Sequence, residues 1–98
     1  EHPTEADWRL FVTMIRFDFV YFSHFKCNIR RIQDYPNLWN HTLELYQTPG
    51  VSDVVDIPGI KKGYYGGQAN VNPTGIVPAG PNIDLTIPHN RGQVARAA

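Results

Sequence analysis

Two adjacent tyrosines between glycines are the most specific chemical signal in the sequence. Tyr64 and Tyr65 follow Gly63 and precede Gly66-Gly67. Glycine permits backbone bends that other residues resist, so one phenol can turn inward and donate a hydrogen bond to a developing oxyanion or a quinone oxygen. Alternatively, the pair only anchors the C-terminal half of the chain by burying its large rings. The residues alone leave both interpretations open.

A single cysteine and an aspartate in an apolar stretch are the next candidates. Cys27 is the only cysteine, so no internal disulfide can form and a reducing cytoplasmic compartment is expected. The nearby cations Lys26 and Arg30 favour a thiolate, but a lone cysteine is more often an inert packed group, and we prefer that interpretation. Asp18 lies among apolar residues, where capping of a neighbouring backbone or pairing with Arg16 or Lys26 is favoured over catalysis.

The histidines do not form a recognisable metal motif. No two of them are four residues apart, and no cysteine or carboxylate accompanies them at ligand spacing. The sequence also lacks a Gly-x-Ser-x-Gly nucleophile turn and a phosphate-binding Gly-x-x-x-x-Gly-Lys loop. We therefore expect no metal site at these positions, which are His2, His24, His41 and His89.

The charge balance argues against whole classes of partner. The 98 residues carry nine basic and nine acidic side chains, whereas proteins that bind nucleic acid or anionic membranes hold an excess of Lys and Arg. The longest apolar stretch, 17–25, is interrupted by polar residues and is too short to span a bilayer. We expect a soluble globular protein with neither nucleic acid nor a membrane as partner.

The element that positions the N-terminal half is a long helix. Thr4 followed by Asp7 is typical of a capping box, in which the two side chains satisfy free backbone N–H groups of the first turn. From Trp8 to Phe22, apolar residues recur with the helical period, at positions 8, 11, 12, 15, 19 and 22. Further apolar residues make the helix apolar nearly all round, so it needs cover that a chain of 98 residues can hardly provide.

A second helix is predicted to start around Asp34, with Pro36 in its first turn, and to stop near Gln47. The cap-then-proline pattern at 48–50 predicts a short third helix that ends at about Val55.

Glycine and proline are concentrated in the second half of the chain. All eight glycines and six of the eight prolines lie after Thr48. We expect Pro58-Gly59 to end the third helix and only brief turns to follow, such as a tight turn at 72–75. The predicted fold is all-α, with a helical-domain portion at 1–57 and a long irregular Gly/Pro-rich extension at 58–98 that is docked on the helices.

Several stretches of the sequence resemble one protein family. The capping-box segment is similar to the start of the central helix in the C-terminal domain of glutathione transferases. With the later stretches, the chain resembles the glutathionyl-hydroquinone reductases, the Xi class of glutathione transferases, from about residue 4 to residue 89. The residues that carry the resemblance are 4–11, 15–28, 34–39, 46–50, Ile60, 63–65 and 72–76.

The resemblance implies the C-terminal portion of the glutathione transferase helical domain and a role in reducing glutathionyl-hydroquinones to hydroquinones. In this family, a cysteine in a Cys-Pro-Trp motif of an N-terminal thioredoxin-like domain attacks the glutathionyl sulfur, and a second glutathione releases the enzyme. The present sequence contains no Cys-Pro, and Cys27 belongs to another motif. We therefore expect no catalytic residue in this chain, glutathione bound mainly by an N-terminal domain outside it, and an isolated chain that is inactive.

The resemblance also implies a substrate site and a partner. The helical domain and its extension would form the pocket for the hydroquinone ring, with Tyr64, Tyr65 and Tyr21 as substrate-binding residues and Thr4 and Asp7 as a structural cap. The glycines around the tyrosine pair depart from the neighbours that many members have, so which of the two phenols faces the ligand stays open. Family members form homodimers through their helical domains.

The alternative function is a non-catalytic helical module for protein association, of the kind that glutathione-transferase-like domains serve in translation factors. The elaborate extension has no obvious purpose in such a module, and a Cys-Pro-Trp motif upstream of this sequence would decide for the enzyme.

Overall fold

A computed structural model describes residues 3–91 of the chain. Its regular elements are helical, and no strand occurs anywhere in that range, so the all-α prediction is confirmed. His2 and positions 92–98 of the predicted extension lie outside the described residues. The helices are α1 (Glu5–Arg16), α2 (Phe22–His24), α3 (Pro36–Tyr46) and α4 (Ile57–Gly67), with a π-helical turn at Phe17–Tyr21 and 3₁₀ turns at Ile32–Asp34 and Ser52–Val54.

The first helix begins at a capping box. Thr4 precedes α1 in an extended conformation, and one oxygen of the Asp7 carboxylate accepts its backbone N–H at 2.8 Å and its hydroxyl at 3.1 Å. The other oxygen of Asp7 lies 3.0 Å from Nε2 of His41 in α3. The first turn of α1 is therefore both capped and tied to the neighbouring helix.

α1, the π-helical turn and α2 form one continuous rod with a single well-covered face. Its buried residues pack with side chains of α3, α4 and the segment after α4, whereas Leu10 and Val12 keep 40% and 48% of their surface exposed. The described residues thus leave part of the rod uncovered, as its apolar circumference predicts. The buried core consists of Phe11, Ile15, Phe19, Val20, Leu43, Leu45, Tyr65 and Leu85.

α3 confirms the second predicted helix. Pro36 occupies its first turn, where the missing N–H of proline costs nothing, and the helix ends at Tyr46 with Gln47 as its C-cap. The third predicted helix is shorter than expected, because only a single 3₁₀ turn, Ser52–Val54, forms there.

The expectation of only brief turns from Pro58 onward is wrong for the stretch Ile57–Gly67, which is a helix. Asp56 caps it, since its carboxylate accepts the N–H of Gly59 at 3.1 Å, and Pro58 lies in the first turn. Asp56 at the N-cap with Pro58 two residues later is a signal for the start of a helix, whereas Pro58-Gly59 was expected to end one. Buried Lys61 and Tyr65 supply the packing that offsets the poor helix propensity of the glycines.

Beyond α4 the described chain is irregular, and its last part, 85–91, is bonded to α3 and the C-cap of α3. The predicted tight turn at 72–75 is present, with the N–H of Gly75 bonded to the carbonyl of Asn72 at 3.1 Å. Three α3-side groups then hold the end of the described chain: Gln47 donates to two main-chain carbonyls, Asn40 accepts the N–H of Asn90, and Glu44 accepts from the Arg91 side chain. The division into units 1–57 and 58–98 stays a prediction.

Candidate functional site

Five rings from the end of the rod and the end of α4 form an aromatic cluster. Tyr21 closes the π-helical turn, His24 and Phe25 lie at the end of α2, and Tyr64 and Tyr65 are on the last turns of α4. The Tyr21 and Tyr64 rings meet edge to face, with centroids 5.9 Å apart and planes at 81°. His24 lies 4.7 Å from the rings of both Phe25 and Tyr65, again edge to face. Such arrangements are the favoured geometry for aromatic pairs.

Tyr64 and Tyr65 point in different directions because neighbouring residues on an α-helix are about 100° apart. Tyr65 is 4% exposed, and its hydroxyl lies 3.5 Å and 3.4 Å from the main-chain carbonyls of Phe19 and Val20. Tyr64 is only partly buried and packs against Tyr21. Of the two phenols, Tyr64 is therefore the one at the surface of the protein, and Tyr65 belongs to the core.

The two partly buried phenols interact electrostatically. A hydrogen bond with the Tyr64 side chain raises the pKa of Tyr21 above its ordinary value, and partial burial acts in the same direction. The positive charge of Arg16 lowers the pKa of Tyr21 more weakly. The Tyr21 hydroxyl therefore holds its proton more strongly than an ordinary phenol does, and the pair can present a phenol proton to an acceptor such as a ring oxygen.

His24 also belongs to the aromatic cluster, although the sequence raised this residue only as a candidate metal ligand. It is 4% exposed, and its Nε2 lies 2.7 Å from the side-chain oxygen of Gln68, the C-cap residue of α4. Its Nδ1 has no hydrogen-bond partner among residues 3–91. The contact between His24 and Gln68 connects the end of α2 to the end of α4. The two residues are too far apart in the sequence for their spacing to indicate it.

A groove of the described structure lies elsewhere. It has a volume of about 830 Å³, is formed mainly by α4 and the segment 77–86, and shares no residue with the aromatic cluster. Lys61 lines it, but that side chain is buried and donates to the main-chain carbonyl of Gly80 at 2.7 Å. Its amine is already used to hold the segment, so we place the candidate site at the cluster instead.

Comparison with known proteins identifies the family. The glutathione S-transferase C-terminal domain family matches residues 1–42. The chain is 47% identical over 88 residues to the glutathionyl-hydroquinone reductase YqjG of Escherichia coli K12, covering 90% of this chain and 27% of that protein. It is 53% identical over 78 residues to the glutathionyl-hydroquinone reductase PcpF of Sphingobium chlorophenolicum, covering 80% of this chain and 25% of that protein.

Solved structures agree. The glutathione-bound structure of E. coli YqjG superposes with a TM-score of 0.91 at 44% identity, covering 97% of this chain and 31% of that one. The Xi-class glutathione transferase of Natrialba magadii superposes with a TM-score of 0.89 at 43% identity, covering 92% of this chain and 28% of that one. This chain belongs to the Xi class of glutathione transferases. It spans about a quarter of the length of the curated relatives it matches.

Other candidate residues of this Xi-class chain have structural positions. Asp18 is 7% exposed and accepts the N–H groups of Ile32 at 2.7 Å and Gln33 at 3.2 Å, so the predicted backbone cap is confirmed. Burial raises the pKa of Asp18, and these two hydrogen bonds oppose that rise. The expectation that Cys27 is a packed group is wrong, because its side chain is exposed on the loop after α2. Its N–H donates to the carbonyl of Tyr21 at 3.1 Å.

Two classes of feature are missing from the part of the Xi-class chain that the structure describes. No three side chains of His, Cys, Asp or Glu come together there in a way that could hold a metal ion. None of the helices in residues 3–91 combines the length and the apolar character needed to cross a membrane.

Proposed function

We propose that this chain forms the hydroquinone-binding part of a glutathione-dependent oxidoreductase that reduces glutathionyl-hydroquinones to hydroquinones. The main support is the pairing of Tyr21 with Tyr64 at the partly exposed side of the aromatic cluster. Phenol donors beside aromatic faces suit a flat ring that carries oxygens. The names of the relatives from E. coli and S. chlorophenolicum support the same reaction class.

Each substrate-site residue has a separate role in this proposal. Tyr64 donates a hydrogen bond to a ring oxygen of the hydroquinone, which gains negative charge as the bond between sulfur and ring carbon breaks. Tyr21 holds the Tyr64 phenol in place and lines the ring. For Tyr65, whose hydroxyl is directed to the main chain of the rod, we propose an indirect role rather than contact with the substrate.

Glutathione fits the remainder of the longer protein better than it fits this cluster. The cluster offers rings and phenols, which suit the hydroquinone, whereas the peptide carboxylates of glutathione call for cationic or main-chain donors. When bound, glutathione supplies the thiol that regenerates the enzyme, and overall one conjugate and one glutathione give one hydroquinone and glutathione disulfide. We place that binding, and the catalytic cysteine, mainly in an N-terminal thioredoxin-like domain.

The test is a Tyr64→Phe substitution in the longer protein that contains this chain. Removing one donor that is fully used in the transition state costs roughly 2.7–4 kcal/mol, so kcat for glutathionyl-menadiol should fall by about 10²–10³. Tyr46→Phe is the matched control, because it removes a phenol outside the cluster and should leave turnover unchanged. Turnover that survives Tyr64→Phe at the wild-type level would reject the role of Tyr64.

Two further properties complete the proposal. We infer that the longer protein is cytoplasmic, in keeping with the free and exposed thiol of Cys27 in this chain. We also infer that it forms a homodimer through its helical domains. Light scattering at micromolar concentration should give twice the mass of one chain, and a monomeric mass would reject the dimer.

A further inference from the structure

The π-helical turn is held from two sides by groups that lie far away in the sequence. Within Phe17–Tyr21 the backbone bonds run from residue i to residue i+5, as shown by the N–H of Phe22 bonded to the carbonyl of Phe17. Such a turn takes up one more residue than an α-helical turn, so it rotates every side chain that follows about the helix axis. Single π turns inside α-helices occur frequently at functional sites.

Asp18 holds the first side of the turn. Its carboxylate accepts the N–H groups of Ile32 and Gln33, which begin the 3₁₀ turn Ile32–Asp34. This contact anchors the start of the π-helical turn to the loop that follows α2.

Tyr65 holds the second side. Its hydroxyl approaches the carbonyls of Phe19 and Val20, two main-chain groups in the middle of the π-helical turn. Tyr65 is fixed in the core, and Tyr64 is the residue that precedes it in α4. The last part of α4 therefore contacts the π-helical turn through Tyr65 and also places the Tyr64 ring against Tyr21. The side chain of Asn72 donates to the carbonyl of Tyr65 at 2.7 Å and so holds this end of α4.

We propose that the Tyr65 hydroxyl is a positioning group, which sets Tyr21 against Tyr64 by binding the carbonyls of the π-helical turn. Its importance for turnover rests on the function proposed above, whereas its effect on the geometry of Tyr21 does not. The prediction concerns the hydroxyl alone, because the Tyr65 ring would still fill the core in a phenylalanine variant.

The decisive experiment is NMR of the longer protein labelled with [¹³Cζ]tyrosine, with the Tyr21 signal assigned by its absence from a Tyr21→Phe variant. Tyr64→Phe defines the position of that signal when the pair is broken. In Tyr65→Phe we expect the Tyr21 signal to move towards that position. An unmoved Tyr21 signal in a folded Tyr65→Phe protein would overturn the positioning role.

Kinetics provide the second readout. Tyr65→Phe should lower kcat for glutathionyl-menadiol about threefold to tenfold, the factor that one net hydrogen bond supports. If Tyr65 acts through Tyr21, the same substitution in a Tyr21→Phe background should lower kcat no further, because coupled residues are non-additive. A purely structural effect would lower kcat equally in both backgrounds, and that result would overturn the proposal.

Controls separate this inference from the proposed function. Tyr46→Phe removes a phenol outside the cluster and should change neither the Tyr21 signal nor kcat. If Tyr21→Phe and Tyr64→Phe both leave turnover intact, the proposed function fails, and the NMR result alone then decides on the positioning role. If those variants lower turnover but Tyr65→Phe does not, only the positioning role fails.

Discussion

Replacing Asp18 by alanine removes the carboxylate that accepts two backbone N–H groups at the start of the 3₁₀ turn Ile32–Asp34. The carboxylate is 7% exposed and accepts from Ile32 at 2.7 Å and from Gln33 at 3.2 Å. Ile32 is buried, so water cannot easily take the place of the lost acceptor. We therefore expect Asp18→Ala to release this loop from the rod.

The magnitude follows from the two bonds. A buried N–H left without a partner costs about 1–3 kcal/mol, and a partly buried one costs towards the lower end of that range. Removing the carboxylate also removes the cost of burying its charge, which is what raises the pKa of Asp18. A net loss of about 2–3 kcal/mol of local stability results.

Hydrogen exchange of the longer protein measures that loss locally. About 2–3 kcal/mol corresponds to roughly 30- to 150-fold faster exchange at the amides of Ile32 and Gln33, if they exchange by local opening. Asp18→Asn should show a smaller increase, because its amide oxygen can still accept from Ile32. Asp53→Ala is the control, since it removes an exposed carboxylate from the other 3₁₀ turn. Unchanged exchange at Ile32 in Asp18→Ala would refute the assigned capping role.

Four further outcomes are expected in the longer protein. Thr4→Ala should lower the free energy of unfolding by about 1 kcal/mol in a denaturation experiment and spare turnover, and an activity loss at unchanged stability would contradict a purely structural cap. The hydrogen bond from the Thr4 backbone, and after it the contact with His41, lowers the pKa of Asp7 below 3.8. The stability advantage of wild type over Asp7→Asn should therefore be fully present above pH 3.8 and should vanish as the pH falls through the lowered pKa. The pH dependence at Asp18 should have the opposite sign, because burial raises the pKa of this carboxyl. Wild type should gain stability relative to Asp18→Asn as the pH falls through the raised pKa towards 3.8. A stability difference from urea unfolding that does not change with pH would refute this. Gln47→Ala should speed hydrogen exchange in 85–91 about tenfold, because two side-chain bonds to that segment are lost, and unchanged exchange would show that other contacts hold it.

Local signals in the sequence predict the parts of the fold that local chemistry determines. The capping pair before α1, the proline that starts α3 and the tight turn at 72–75 each depend on residues within a few positions of one another. Asp18 was also predictable as a backbone cap, because a carboxylate in an apolar stretch has to find donors.

The features that sequence reasoning missed depend on contacts between distant residues. α4 forms despite four glycines because Tyr65 and Lys61 bury their side chains against the rest of the chain, and packing outweighs propensity. The π-helical turn escapes a periodicity analysis for the same reason, since Tyr65 and the Ile32 backbone stabilise it from elsewhere in the chain. Whether Tyr64 or Tyr65 faces outward could be stated only once that stretch was known to be helical.

The uncovered side of the rod links the fold to the size of the relatives. Phe11 is 4% exposed, whereas its neighbours Leu10 and Val12 expose 40% and 48%, because one stripe of the rod faces the core and two flanking stripes do not. Full burial of such a side chain contributes about 1.5–3 kcal/mol, so the rod carries apolar surface whose stabilising effect is only partly realised within residues 3–91. That surplus is what a helix from the interior of a larger protein would show, and it agrees with a chain that spans about a quarter of the length of its relatives.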